Sequence, residues 1–161
     1  MYPELSLSIQ YGEDTAELPR WRLRRWVGRA LAQALAPPDP RAGQPVVLTL
    51  RLVDEAEGRA LNLAYRQKDY ATNVLTFEYG NDPSGVISGD IVLCVAVLRQ
   101  EARAQHKSLV HHAAHLVTHG VLHALGHDHL QAHEAQRMEA LETLILAAQG
   151  IPDPYQVRPK I

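Results

Sequence analysis

The run H-G-V-L-H-A-L-G-H-D-H, from His119 to His129, gathers four of the chain's nine histidines into eleven positions. On an α-helix, residues four apart share a face and lie about 6 Å apart along the axis, so His119 and His123 can aim both imidazoles at one ion. Gly126 can enter the left-handed conformation that ends a helix and turns the chain. A histidine three residues later then swings back, which makes His129 the expected third ligand, with His127 and His133 as alternatives for that place. Three histidines around zinc leave the fourth tetrahedral position to water, the open arrangement of a catalytic site. His115 adds a further rung to the ladder. It lies about 12 Å from His123 along a straight helix, too far to share an ion with bonds near 2 Å, so it is expected to pack against the ligands or orient them. His106, His111 and His112 read as ordinary helix or surface positions.

The same spacing occurs in metzincin peptidases, where a glutamate directly after the first histidine is the general base. Here that position is Gly120, and Met138 sits in a helical pattern rather than in a Met-turn. The ligand geometry survives without the peptidase chemistry. Asp128 is placed to orient a ligand histidine or to cap the following helix, which leaves the general base unassigned. A zinc-bound water suits phosphodiester cleavage equally well.

The elements that must carry these residues follow from periodicity. Leu5, Leu7 and Ile9 alternate as a short strand, and Pro19 suits the first turn of a helix whose buried face is Leu23, Trp26, Val27, Ala30, Leu31 and Ala34. Arg22, Arg25 and Arg29 project opposite that stripe, as a solvated basic face or as a grip on RNA phosphates. Val46 to Val53 is a strand, Asp54 and Glu57 open a helix to about Tyr65, Val74 to Tyr79 is a strand, and Asp90 to about Leu93 is a fourth. Val95 to Ala104 reads as helix, Ser108 caps a helix reaching Leu125, and Met138, Leu141, Leu144, Ile145 and Ala148 form the stripe of a last helix stopped by Gly150 and Pro152. The pattern predicts one α+β domain over 1–161, with mixed α/β layers: a small four-stranded sheet covered by about five helices.

Composition is that of a globular chain: 46% hydrophobic, 21% charged, formal net charge −2. That balance neither demands nor forbids nucleic acid. One cysteine, Cys94, excludes an internal disulfide and reads as a buried strand thiol. No signal-peptide pattern or membrane-length apolar run is present, so a cytoplasmic protein is expected.

The segments L-N-L-A-Y-R-Q-K-D-Y-A-T-N-V-L-T-F (Leu61 to Phe77), G-D-I-V-L-C (Gly89 to Cys94), the histidine run, and M-E-A-L-E (Met138 to Glu142) together resemble the bacterial YbeY family, over about Leu48 to Tyr155. That resemblance implies a zinc-dependent, single-strand-specific endoribonuclease of ribosomal RNA maturation, at the 16S rRNA 3′ end, and of ribosome quality control. It implies one zinc per chain on His119, His123 and His129, and an RNA-facing arginine at Arg66 with Lys68 nearby. The implied partners are single-stranded RNA, ribosomal RNA precursors, the small ribosomal subunit and ribosome-associated proteins. One departure is His127, where the family more often has tyrosine. A surface salt bridge from Arg66 to Asp69 is the competing reading of that arginine, and Thr72 and Asn73 read as turn residues before substrate contacts. A metallopeptidase-like hydrolase and a noncatalytic assembly factor with structural zinc are the alternative functions.

Overall fold

The computed structural model describes residues 4–127 and 131–155, apart from the side chains of residues 80 and 81. Its elements run β1 (Leu5–Tyr11), α1 (Arg20–Ala34), β2 (Val46–Val53), α2 (Glu55–Arg66), β3 (Val74–Asn81), β4 (Ile87–Cys94), α3 (Val95–Ala104), α4 (Leu109–Ala124) and α5 (Ala132–Ala147). The sheet order is β1-β2-β4-β3: β1, β2 and β4 are parallel, and β3 closes one edge antiparallel to β4. This is the expected four-stranded α+β domain with five helices.

Strand alternation divides the core between the two faces of the sheet. Leu7 and Ile9, Leu48, Leu50 and Leu52, and Ile91 and Leu93 are buried with the stripe of α1 and with α4 and α5. Val53, Leu75, Val92 and Cys94 form a smaller cluster on the other face, against Leu61 of α2. The free Cys94 thiol is buried as expected, and burial raises its pKa. The α1 stripe is the one its periodicity gives, with Pro19 as N-cap rather than inside the first turn.

Local signals place the other helix starts. The Asp54 side chain accepts from the Glu57 N–H at 2.8 Å, and Ser108 from the His111 N–H at 3.0 Å, each worth about 1 kcal/mol. Strands β3 and β4 extend beyond the expected ends because Asp82 Oδ1 gathers the backbone N–H groups of Ser84 and Val86 into a tight connection. Helix α5 also begins earlier than its apolar stripe suggests, with Gln131 rather than Asp128 at the N-cap.

Two close approaches seat α4 on the sheet. A Cβ built on Gly120 would lie 2.8 Å from Cγ2 of Ile91, in the middle of β4; one on Gly89 would lie 3.1 Å from Cβ of Ala124. No side chain fits at 120, which explains physically why a glutamate is absent there. A second tie comes from the loop before β3. Asn73 Nδ2 donates to Glu101 of α3 at 3.1 Å, and Glu101 Oε1 pairs with Nε2 of His112 on α4 at 2.9 Å. Asn73 therefore clamps a loop to two helices, and His112, 3% exposed, belongs to the interior and not to the surface.

Two outcomes are expected. Gly120→Ala destabilises by overpacking, about 1–3 kcal/mol in urea unfolding, and costs far less in an Ile91→Ala background where Cγ2 is gone. The second concerns pH. Burial holds the His112 imidazole below its ordinary 6.5, despite the opposing pull of Glu101. Below pH 6.5 the unfolded chain therefore binds more protons at this residue than the folded one, and stability falls as pH drops towards the folded value. His112→Gln removes that component, so the slope of unfolding free energy with pH flattens just below 6.5 by at most one proton, about 1.4 kcal/mol per pH unit.

Candidate metal centre and its carboxylate

Helix α4 places His115, His119 and His123 on successive turns along one side, with ring centroids 6.3 Å and then 5.9 Å apart. The glycine stop forms as its chemistry requires: Gly126 has φ +92°, its N–H donates to the His123 carbonyl at 3.0 Å, and the His127 N–H returns to the Leu122 carbonyl at 3.0 Å. These two bonds are a Schellman ending, and they satisfy carbonyls that the last turn leaves over. From the preceding loop, Arg41 Nη1 donates to the Leu125 carbonyl at 2.6 Å and braces the same turn.

Behind the ladder lies a residue that sequence reasoning left without a role. Glu142 of α5 is completely buried, with Oε1 2.5 Å from Nδ1 of His119 and Oε2 3.7 Å from Nε2 of His115. Tyr155, beyond the end of α5, turns back so that its hydroxyl donates to Glu142 Oε2 and lies 3.1 Å from Nε2 of His115. Burial alone drives a carboxyl pKa up; here the hydrogen bonds from His115, His119 and Tyr155 outweigh it and hold Glu142 down at about 2. Tyr155 moves the other way, raised above its ordinary 10 by burial and then by the carboxylate. An ionised carboxylate can only accept, so Nδ1 of His119 carries a proton, and in the neutral imidazole the lone pair is then on Nε2. A carboxylate behind a histidine in this way is the outer half of many metal sites.

Glu142 was legible in principle. It stands four residues after Met138 and three before Ile145, within the buried face of α5, while Leu144, expected in that stripe, is exposed. The α5 stripe is thus Met138, Glu142, Ile145 and Leu146, an acid at a core position.

The remaining candidates are placed as follows. His127 is half-buried and faces the charges of Arg41 and Asp39; burial and then Arg41 lower its pKa. His133 is exposed at the start of α5. His129 and Asp128 lie outside the described residues, and among the described residues no three His, Cys, Asp or Glu side chains are grouped to hold one ion. Arg66 is the exposed last residue of α2, on the other side of the sheet from α4, and Lys68 follows it in an exposed loop. The Arg66 to Asp69 ion pair, the competing reading of that arginine, does not form. Asp69 is taken by Arg59, at 2.7 and 2.9 Å. Next to Arg66, Tyr65 rests edge-on against Phe77 of edge strand β3, with ring centroids 5.0 Å apart. Arg25 and Arg29 are exposed as projected, whereas Arg22 is half-buried and donates to the Glu17 carbonyl at 2.8 Å. Among the described residues no helix is long and apolar enough to cross a membrane.

Comparison with known proteins bears on the fold and on the family. A solution structure of a Thermotoga maritima protein shares the fold, with a TM-score of 0.58 over 94% of this chain and all of that one, at 22% identity. The chain is 64% identical over 156 residues to Endoribonuclease YbeY of Bordetella parapertussis, covering 96% of this chain and 98% of the relative. It is 51% identical over 160 residues to Endoribonuclease YbeY of Herminiimonas arsenicoxydans, covering 94% and 96%. The family model described as Endoribonuclease YbeY matches residues 8–150, and by that match and these identities the chain belongs to the YbeY endoribonuclease family.

Proposed function

We propose that the chain is a zinc-dependent endoribonuclease specific for single-stranded RNA. It acts in the cytoplasm on ribosomal RNA precursors, among them the 3′ end of 16S rRNA, together with the small ribosomal subunit and its associated proteins, and serves ribosome quality control. Family membership supports the reaction class. One contact supports the metal: buried, ionised Glu142 on Nδ1 of His119, one helical turn from His123. An imidazole whose far nitrogen is held by a carboxylate, as that of His119 is, is a donor that fits zinc. His119 and His123, with His129 beyond the Gly126 turn, would hold one ion. Such an ion supplies Lewis acidity towards a phosphoryl oxygen and brings the pKa of a water towards neutrality.

The chain's own groups do the rest. Glu142 keeps the proton of His119 on Nδ1, and Tyr155 holds the other carboxylate oxygen. Arg66 offers phosphate a planar, bidentate fork, and Lys68 adds a point charge. The occupation of Asp69 by Arg59 supports that role, because it removes the nearest acid competing for the Arg66 guanidinium. Asp128 is assigned to orienting His129, and no residue is assigned as general base.

The test combines metal content with substrate choice. Wild type is expected to carry one zinc, to cut labelled single-stranded RNA, to stop on chelation, and to leave casein intact. His119→Ala, His123→Ala and His129→Ala lose the metal; His115→Ala keeps it; Glu142→Gln binds it about 10- to 100-fold more weakly. Zinc retained by His123→Ala but lost from His115→Ala would show that the wrong rungs had been chosen. Chelator-insensitive RNA cleavage would remove zinc from the reaction, and casein cleavage would restore the peptidase reading.

Arg66→Ala is expected to keep its zinc and its melting temperature while RNA cleavage falls on the order of a hundredfold, the effect of losing one charge-assisted contact that positions the substrate's phosphates. An unchanged rate would return Arg66 to an ordinary surface position.

A further inference from the structure

Helix α1 has two stripes. One is the buried face; the other runs Trp21, Arg24, Arg25, Gly28, Arg29, at the i, i+3, i+4, i+7, i+8 spacing that brings side chains onto one side of a helix. The face opposite a buried stripe is ordinarily charged and solvated, and a large aromatic side chain is the unusual member of this one. This one lies in solvent: Trp21 is 59% exposed, and Arg24, Arg25 and Arg29 are exposed. They line a shallow trough of about 370 Å³. At Gly28, in its floor, a Cβ would meet nothing within 4 Å.

Charge marks the same face. Five of the chain's sixteen basic residues fall between 20 and 29, with no acid among those ten positions, in a chain of formal net charge −2. The structure separates the five. Arg20 is committed to the Ile9 carbonyl at 2.8 Å and lies over the Tyr11 ring. Arg22 donates to the Glu17 carbonyl and sets its guanidinium 5.0 Å from the Trp21 ring, which holds the indole in place. Among the described residues, Arg24, Arg25 and Arg29 have no carboxylate partner. By contrast Arg51 is paired with Glu57, Arg59 with Asp69 and Arg99 with Glu17.

We infer that this stripe is an accessory site for single-stranded RNA, with Trp21 stacking a base and Arg24, Arg25 and Arg29 taking backbone phosphates. The inference rests on the reading of the chain as an RNA nuclease and adds where a long substrate is held away from the bond that is cut. Chemistry selects the occupant. Three unpaired guanidiniums along about 8 Å of helix match a polyanion, and an exposed indole one turn before them supplies the sequence-tolerant stacking platform that unpaired bases use and a duplex cannot. An acidic protein partner would satisfy the arginines without requiring the tryptophan.

The test uses the zinc-loaded full chain and a fluorescein-labelled 20-nucleotide oligoadenylate, bound at several salt concentrations. Trp21→Ala is expected to weaken binding roughly five- to a hundredfold, and Trp21→Phe to restore much of the loss. Arg24→Ala/Arg25→Ala/Arg29→Ala should flatten the slope of log affinity against log salt by about two units, at about 0.7 for each contact to a single strand. Cleavage of a tetranucleotide should be unchanged in all of them. Unchanged affinity in Trp21→Ala together with parallel salt lines in the triple variant overturns the site, as does an equal loss for a fully paired duplex of the same length. If wild type shows these dependences but cuts neither substrate, the site stands and the nuclease reading fails; if it cuts both while the variants bind normally, the site alone fails.

Discussion

Everything that can do chemistry in this molecule hangs on how closely α4 lies against the sheet. The helix meets β4 through Gly120 on Ile91, where a Cβ would lie only 2.8 Å from Cγ2, and through Ala124 on Gly89, where an added Cβ would have to push its neighbours aside. Such contact fixes both the height of the helix and its rotation, and rotation decides where His115, His119 and His123 point. Interiors packed at crystal-like density do not absorb an added methyl without moving something. Gly120 therefore accounts at once for the ladder's aim and for the lack of the glutamate that a peptidase with the same histidine spacing carries.

The second constraint is electrostatic. A fully buried carboxylate is costly unless each oxygen is satisfied, and Glu142 meets that condition with groups from two places: α4, its neighbour in the core, contributes His119 and the nearby His115, and the segment beyond α5 contributes Tyr155. The acid occupies a position on α5 that an apolar side chain would otherwise fill. A buried charge in that place stabilises the fold less than leucine would, and in exchange it sets the protonation of His119. The Asn73, Glu101 and His112 chain works by the same rule on the other side of α4, with a turn residue as the final donor.

Much of this was legible from residue patterns because short-range physics dominates the relevant choices. The α1 stripe, the caps at Asp54 and Ser108, the β2 and α3 boundaries and the Gly126 stop are all decided within a turn or two of the residues concerned. The misses are long-range. Glu142 is separated from His119 by 23 positions, and periodicity reads an acid in a stripe as an interruption when the partners that neutralise it are out of view. Leu144 was drawn into the stripe for the same reason, by hydrophobicity without knowledge of which side faced α4. The pairing of Asp69 depended on Arg59, ten positions before it and two turns earlier on α2 than Arg66. His112 looked like a surface histidine because its burial is created by α3 and the loop before β3, neither of which its own helix announces.

The order in which the chain is made gives the Tyr155 contact another meaning. Synthesis runs from the amino end, so the sheet and α4 exist as polypeptide before α5 and the segment that follows it. Until then His119 has no carboxylate behind it and either ring nitrogen can carry the proton. Glu142 arrives with α5, and its second oxygen is satisfied only when Tyr155 has folded back. The groups that fix the Nδ1 proton of His119 thus come from chain that is synthesised after the helix that carries it.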